Sequence, residues 1–186
     1  MKNILITGAT GSLGLKLVQN FSEHNLIITD KSEISLQNLL DSFDKSIQQN
    51  ITTVAIDLAD ENQLHLLVEE VFNKFTTLDT LINNAALTGS SSEPNYVADF
   101  QNQDINSFRK ALNVNLIAPF YLSQKLFDKM VTSKNPKIIN IASIYGLVTS
   151  RPSLYTNTSM ESPVAYETSK AALIQLTKYL AARFAP

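Results

Sequence analysis

The stretch Ile4-Leu5-Ile6-Thr7-Gly8-Ala9-Thr10-Gly11-Ser12-Leu13-Gly14 decides the fold. A short apolar run gives way to a turn with glycines at 8, 11 and 14. A helical pattern follows, carrying Leu13, Leu17 and Phe21 with Gly14 and Val18 beside them. Glycine has three tasks in such a strand–turn–helix: to close a tight turn, to let backbone approach a pyrophosphate, and to let helix pack closely on strand. The helix N-terminus adds free N–H groups and a partial positive charge for the phosphates. Gly8, Thr10, Gly11, Ser12, Leu13 and Gly14 are therefore candidate cofactor contacts. Ordinary loops use glycine too, so the setting carries the reading.

Outward from this point, short apolar runs alternate with amphipathic helical patterns, the signature of βαβ units and a parallel sheet. Strands are predicted at 4–7, 26–29, 53–56, 80–82 and 138–141. One helical stripe holds Leu36, Leu39, Leu40, Phe43 and Ile47, and another Leu64, Leu67, Val68, Val71, Phe72 and Phe75. A long helix is predicted over 104–132 with a kink at Pro119, and Pro163 opens a final helix through Tyr166, Leu173, Leu176 and Leu180. Residues 87–103, with Gly89, three serines and Pro94, and residues 146–163 lack periodicity. With right-handed crossovers, the expectation is one α/β domain over 1–186, a Rossmann-type doubly wound parallel sheet of order 3-2-1-4-5.

Composition narrows the function classes. A chain of 186 residues suits one domain rather than two. A net charge of -2 with mixed signs gives no footprint for nucleic acid or an acidic membrane. The absence of cysteine excludes disulfides, thiolate catalysis and Cys-ligated metal, and agrees with a cytoplasmic location. The N-terminal apolar run is too short for a signal peptide, and no later run reaches membrane-spanning length. His24 and His65 belong to no ligand-spaced cluster, so no metal site is expected.

Asp30 ends the second predicted strand. A carboxylate there can accept both ribose hydroxyls of NAD and repel the 2′-phosphate of NADP, or it can be a turn or cap residue. Lys31 leaves room for NADP, but NAD is favoured. Asp57 either meets the adenine edge or caps the next helix. The glycine turn, Asp30, Asp57, Asn83 and Ser143 all follow the carboxyl ends of different predicted strands, the edge where open α/β sheets bind ligands.

Together Thr7–Gly14, Asp30, Asp57-Leu58, Asn83-Asn84-Ala85-Ala86, Asn113-Val114-Asn115, Ile141-Ala142-Ser143 and Tyr166-Glu167-Thr168-Ser169-Lys170 resemble the short-chain dehydrogenase/reductase superfamily. The resemblance implies that Asp57, Leu58, Asn84, Ala85 and Ala86 help hold the cofactor, although the family usually has glycine where Ala86 stands. Tyr166 and Lys170, four apart, share one helix face. A free phenol is too weak an acid to act as base near neutrality, and an ammonium within roughly 4–6 Å favours its anion. By resemblance Tyr166 moves the hydroxyl proton and, with Lys170, also contacts the cofactor. Ser143 then steadies the substrate oxygen, and Asn115 holds a water that links Lys170 to solvent. Singly, each residue also fits a surface pair, a turn or an inward polar bond.

The activity implied is NAD-dependent hydride transfer between nicotinamide and a secondary alcohol or ketone. The rivals are a non-catalytic dinucleotide-binding regulatory or scaffold subunit, and a sugar epimerase or dehydratase with retained NAD. The long stretch between Ser143 and Tyr166, with Tyr145-Gly146, Pro152 and Glu161-Ser162-Pro163, is similar to members acting on nucleotide-linked sugars. The mixture resembles oxidoreductases of sugar and flagellin-modification pathways, so a sugar substrate is expected. The family pairs through the helices that hold Asn115 and Tyr166, which implies a homodimer. It also continues into further strands, a Pro-Gly loop and a substrate lid beyond Ala185-Pro186. The sequence is therefore expected to be part of a longer protein; the alternatives are a partner chain supplying that edge and impaired activity.

Overall fold

A computed structural model of the chain describes residues 1–88, 93–151, 153, 155–158 and 162–184. Gly89 and the serines at 90–92, Pro152, Glu161 and Ala185-Pro186 lie outside the described residues. In chain order the elements are β1 (Asn3–Thr7), α1 (Ser12–Phe21), β2 (Asn25–Asp30), α2 (Glu33–Asp41), α3 (Lys45–Gln48), β3 (Ile51–Ala55), α4 (Glu61–Lys74) and β4 (Thr80–Asn83). Then come α5 (Ile105–Leu112), a π turn (Asn113–Ile117), α6 (Ala118–Lys125), α7 (Phe127–Val131), β5 (Lys137–Asn140) and α8 (Val164–Phe184), with short 3-10 turns at Phe100–Asn102 and Ile144–Gly146. The chain divides into two compact units, Met1–Ala85 with Tyr121–Ile141 and Ala86–Phe120 with Ala142–Pro186.

The first unit holds the sheet. All its pairings are parallel and its order is β3-β2-β1-β4-β5, the order expected. Ile4, Ile6, Leu26, Ile28 and Ile82 join Val18, Leu36 and Leu39 in one core, while Leu5, Ile27 and Leu81, which alternate with them, are also fully buried. Apolar side chains on both faces are what a covered parallel sheet requires. The predicted stripe of residues 36–47 is two helices, because Ser42 turns its N–H and hydroxyl back onto Leu39 and ends α2. Phe72 of α4 points outward, 42% exposed, with the Lys129 ammonium 4.8 Å from its ring centre. Of the two histidines, His24 stacks on Phe21 and His65 pairs with Glu69.

In the second unit α8 packs on α5, the π turn and the Ile144–Gly146 turn. Tyr96, Ala111 and Ala165 form a small core with Leu87, Val97 and Phe108. The helix predicted over 104–132 is broken into α5, α6 and α7, and the kink expected at Pro119 is a π turn just before it. Proline has no N–H for the carbonyl four residues back, that of Asn115, so regular winding fails there. Ala118 N–H instead reaches the Asn113 carbonyl, five residues back. Among the described residues no helix is long and apolar enough to cross a membrane, and no His, Asp or Glu cluster could hold a metal.

Candidate functional site

The first unit carries the glycine turn. Gly8 has φ +66°, and a Cβ there would stand 2.6 Å from the Ala85 Cα; one on Gly14 would stand 2.0 Å from the Gly8 carbonyl oxygen. Neither position admits a side chain. Gly11 caps α1 without any side-chain hydrogen bond, and Gly11, Ser12 and Leu13 are exposed, so the first turn of the helix keeps open backbone donors for an anion. Asn84 and Ala85 are stitched to this turn. The Asn84 amide donates to the Thr7 and Gly8 carbonyls at 3.0 and 2.9 Å, and Thr7 Oγ1 accepts the N–H groups of Asn84 and Ala85 at 3.1 Å each.

Asp30, at the end of β2, braces the same turn. Its Oδ2 accepts Thr10 N–H at 2.9 Å and Thr10 Oγ1–H at 2.7 Å, while Oδ1 accepts Lys31 N–H at 2.7 Å. Oδ2 is thereby filled, and Oδ1 keeps one lone pair for a ribose hydroxyl. Lys31 pairs with Asp57 at 3.0 Å, and Asp57 Oδ1 accepts Ala59 N–H at 2.9 Å. The cap of α4 is Asp60, which accepts from Asn62 and Gln63, so the cap reading of Asp57 is corrected. Leu58 is a core residue.

The second unit brings the other predicted residues together. Lys170, 2% exposed, lies with Nζ 5.7 Å from the centre of the half-buried Tyr166 ring. Burial pushes the Lys170 ammonium down to about 8, because removal from water penalises the charged form. Ser143 Oγ accepts Tyr145 N–H at 3.2 Å, which leaves the serine hydroxyl hydrogen free to donate. The turn that follows lies directly on α8, since a Cβ on Gly146 would be 2.8 Å from the Lys170 backbone carbonyl.

Asn115 is fully buried inside the π turn. Its Oδ1 accepts Leu87 N–H at 2.7 Å, and its Nδ2 donates to the Leu87 carbonyl at 3.1 Å and to Ser169 Oγ at 2.9 Å. Ser169 Oγ in turn donates to the Tyr166 carbonyl at 2.8 Å. Both amide hydrogens are thus committed, and only the second lone pair of Oδ1 remains for a water. Sequence reasoning missed Ser169, whose signal is a hydroxyl between Tyr166 and Lys170 on their helix. It also missed Tyr96, 2% exposed, whose hydroxyl donates to the same Leu87 carbonyl at 3.1 Å. Burial, reinforced by Tyr166 nearby, pushes the Tyr96 phenol well above the usual tyrosine value, so Tyr96 is a neutral donor.

Residues 2–186 match the family model described as short chain dehydrogenase. The chain is 32% identical over 189 residues to the short chain dehydrogenase/reductase dpchG of Colletotrichum higginsianum (strain IMI 349063), covering 100% of this chain and 64% of that protein. It is 31% identical to the 3-oxoacyl-[acyl-carrier-protein] reductase FabG of Rickettsia conorii (strain ATCC VR-613 / Malish 7), covering 96% of this chain and 65% of that one. Among solved structures it is similar to 4-hydroxyisoleucine dehydrogenase complexed with NADH, with TM-score 0.79, 29% identity, and coverage of 99% of this chain and 68% of the other. The chain spans about two thirds of the length of the curated relatives it matches.

Proposed function

The chain belongs to the short chain dehydrogenase family, and on that footing we propose that the protein is an oxidoreductase that moves a hydride between a nicotinamide dinucleotide and a secondary alcohol or ketone. The observation that carries this reading is the buried Lys170 ammonium beside the Tyr166 ring, on a helix tied by Ser169 to Asn115. The open first turn of α1 and the glycine positions that refuse a Cβ fit a pyrophosphate. When bound, the dinucleotide supplies the hydride acceptor or donor.

The chain's own residues handle the proton and the oxygen. Tyr166 takes the hydroxyl proton of an alcohol, or returns it to a ketone oxygen, and the Lys170 charge in a poorly hydrated setting favours the phenolate this requires. The free hydrogen of Ser143 steadies the substrate oxygen as charge develops. Asn115 ties Leu87 to α8, so the tyrosine is presented from a fixed helix turn. NAD is the favoured cofactor: Asp30 offers a carboxylate to the ribose diol, and the charge of Lys31 is already engaged by Asp57.

A sugar or sugar derivative as substrate is supported by the hydroxyl- and amide-rich run Thr149, Ser150, Ser153, Tyr155, Thr156, Asn157 and Thr158. A homodimer through the helices holding Asn115 and Tyr166 is supported by exposed Ile117, Phe120, Tyr179 and Phe184. The cysteine-free sequence supports a cytoplasmic location. The test of the activity is Tyr166→Phe. Turnover should fall by about 10²–10⁴-fold while NADH binding, followed by fluorescence titration, stays within about twofold of wild type. Wild-type protein that binds NADH yet turns over no alcohol, ketone or sugar in a broad panel would refute it.

A further inference from the structure

Glu167 follows the catalytic tyrosine in the first turn of α8, and its carboxylate bonds to the segment that follows Ser143. Its Oε2 accepts the Thr149 hydroxyl at 2.7 Å and its Oε1 accepts Ser150 N–H at 3.1 Å. Those two partners lie a few residues beyond Ser143, on the same segment. Between them, Gly146 rests on the α8 backbone at Lys170, where only a hydrogen fits. The segment running from Ser143 to Ser150 is therefore pinned to α8 at two levels, by close approach at Gly146 and by a carboxylate at its far end. A third tie acts from outside, where Tyr155 donates its hydroxyl to Tyr145 at 3.0 Å.

We infer that Glu167 is a positioning residue: its carboxylate fixes the segment carrying Ser143 on the helix carrying Tyr166 and Lys170, and so sets the aim of the serine hydroxyl. The inference rests on the proposed hydride-transfer reading for its kinetic consequence, but the tie itself does not. The charge state suits the task. Burial opposes ionisation of Glu167, yet hydrogen bonds from Ser150 and Thr149, with a smaller contribution from the Ser162 hydroxyl, outweigh it and hold the carboxyl below the usual carboxylate range. A carboxylate with two oxygens can take an N–H and an O–H at once, and each bond is charge-assisted. Glutamine at this place keeps one oxygen for Ser150 and offers its N–H₂ to the Thr149 hydroxyl.

Two readouts test it on the purified protein. In hydrogen exchange, Glu167→Ala should speed the amide of Ser150 by about tenfold, as loss of one charge-assisted bond implies. Glu167→Gln should restore most of the protection, and the peptide over residues 80–88 should not change. In NADH-linked reduction of 2,3-butanedione, Glu167→Ala should lower kcat about tenfold with KM for NADH unchanged. In a Ser143→Ala background it should have almost no further effect, since it acts through that serine. Unchanged exchange at Ser150 in Glu167→Ala overturns the tie whatever the kinetics. Faster exchange with wild-type kcat, or an undiminished effect in the Ser143→Ala background, overturns the positioning role. Absence of turnover in wild type on this probe and on the wider panel would count against the hydride-transfer reading, while the exchange arms still decide the tie.

Discussion

Lys170 should make stability rise with pH in a window where most proteins change little, and Lys170→Met should abolish that rise. Its folded value is about 8 against 10.5 for an ordinary lysine, with burial as the cause. Between those values the native protein holds a neutral amine while the unfolded chain still binds the proton. The unfolded state then carries more protons, so raising the pH favours the native state. A shift from 10.5 to about 8 corresponds to about 3 kcal/mol in full. Between pH 8 and 10 the linkage integral returns about 2 kcal/mol of it. Above pH 10 the trend should flatten or reverse, because Tyr96 holds its proton in the folded protein and loses it in the unfolded one. Urea denaturation at pH 7, 8, 9 and 10 is the assay, and with m of ~1–3 kcal/mol/M the midpoint should climb by about 1 M. Lys170→Met keeps the apolar stem without the charge, so its midpoint should be higher at pH 7 and lack the wild-type rise. A wild-type midpoint that is flat from pH 8 to 10, or a variant that climbs in parallel, would refute the claim that a desolvated ammonium sits beside Tyr166.

Two further substitutions probe the supports of the site. Gly146→Ala places a methyl 2.8 Å from the Lys170 backbone; it should cost about 1–3 kcal/mol and lower turnover, and a variant with wild-type melting and activity would show that the turn does not rest on α8. Asn115→Ala deprives the Leu87 N–H of its acceptor and removes donors to the Leu87 carbonyl and Ser169. It should cost about 2–4 kcal/mol by chemical denaturation, and a loss under about 1 kcal/mol would count against the buried network.

Periodicity carried the fold because the sheet is buried on both faces, and runs such as Leu26-Ile27-Ile28 have one sensible home. The glycine turn was legible for a related reason: Gly8 and Gly14 sit where backbone itself forbids a side chain, so their identity is dictated locally. What stayed hidden depends on partners distant in sequence. Nothing in the spacing of Thr10 and Asp30 announces their hydrogen bonds, and nothing in residues 87–103 marks Tyr96 as the donor that completes Leu87. Asn115 stood between. Asparagine is a poor helix former, and at 115 it sits in a π turn that hydrophobic patterning does not report.

That π turn has a bearing on how this gene tolerates change. Residues 113–117 contain one more residue than regular winding would use over the same rise. Loss of a single codon there would let the helix close into ordinary α geometry, with the flanking turns still in phase and only the side chains of the former bulge re-aimed. The reading frame would survive and the hydrophobic composition would barely alter. Yet the amide at 115 would face another direction, away from the two backbone groups it now clasps. A one-residue deletion at this point of the helix is thus a graver lesion than many substitutions, because it removes the surplus residue that aims the side chain.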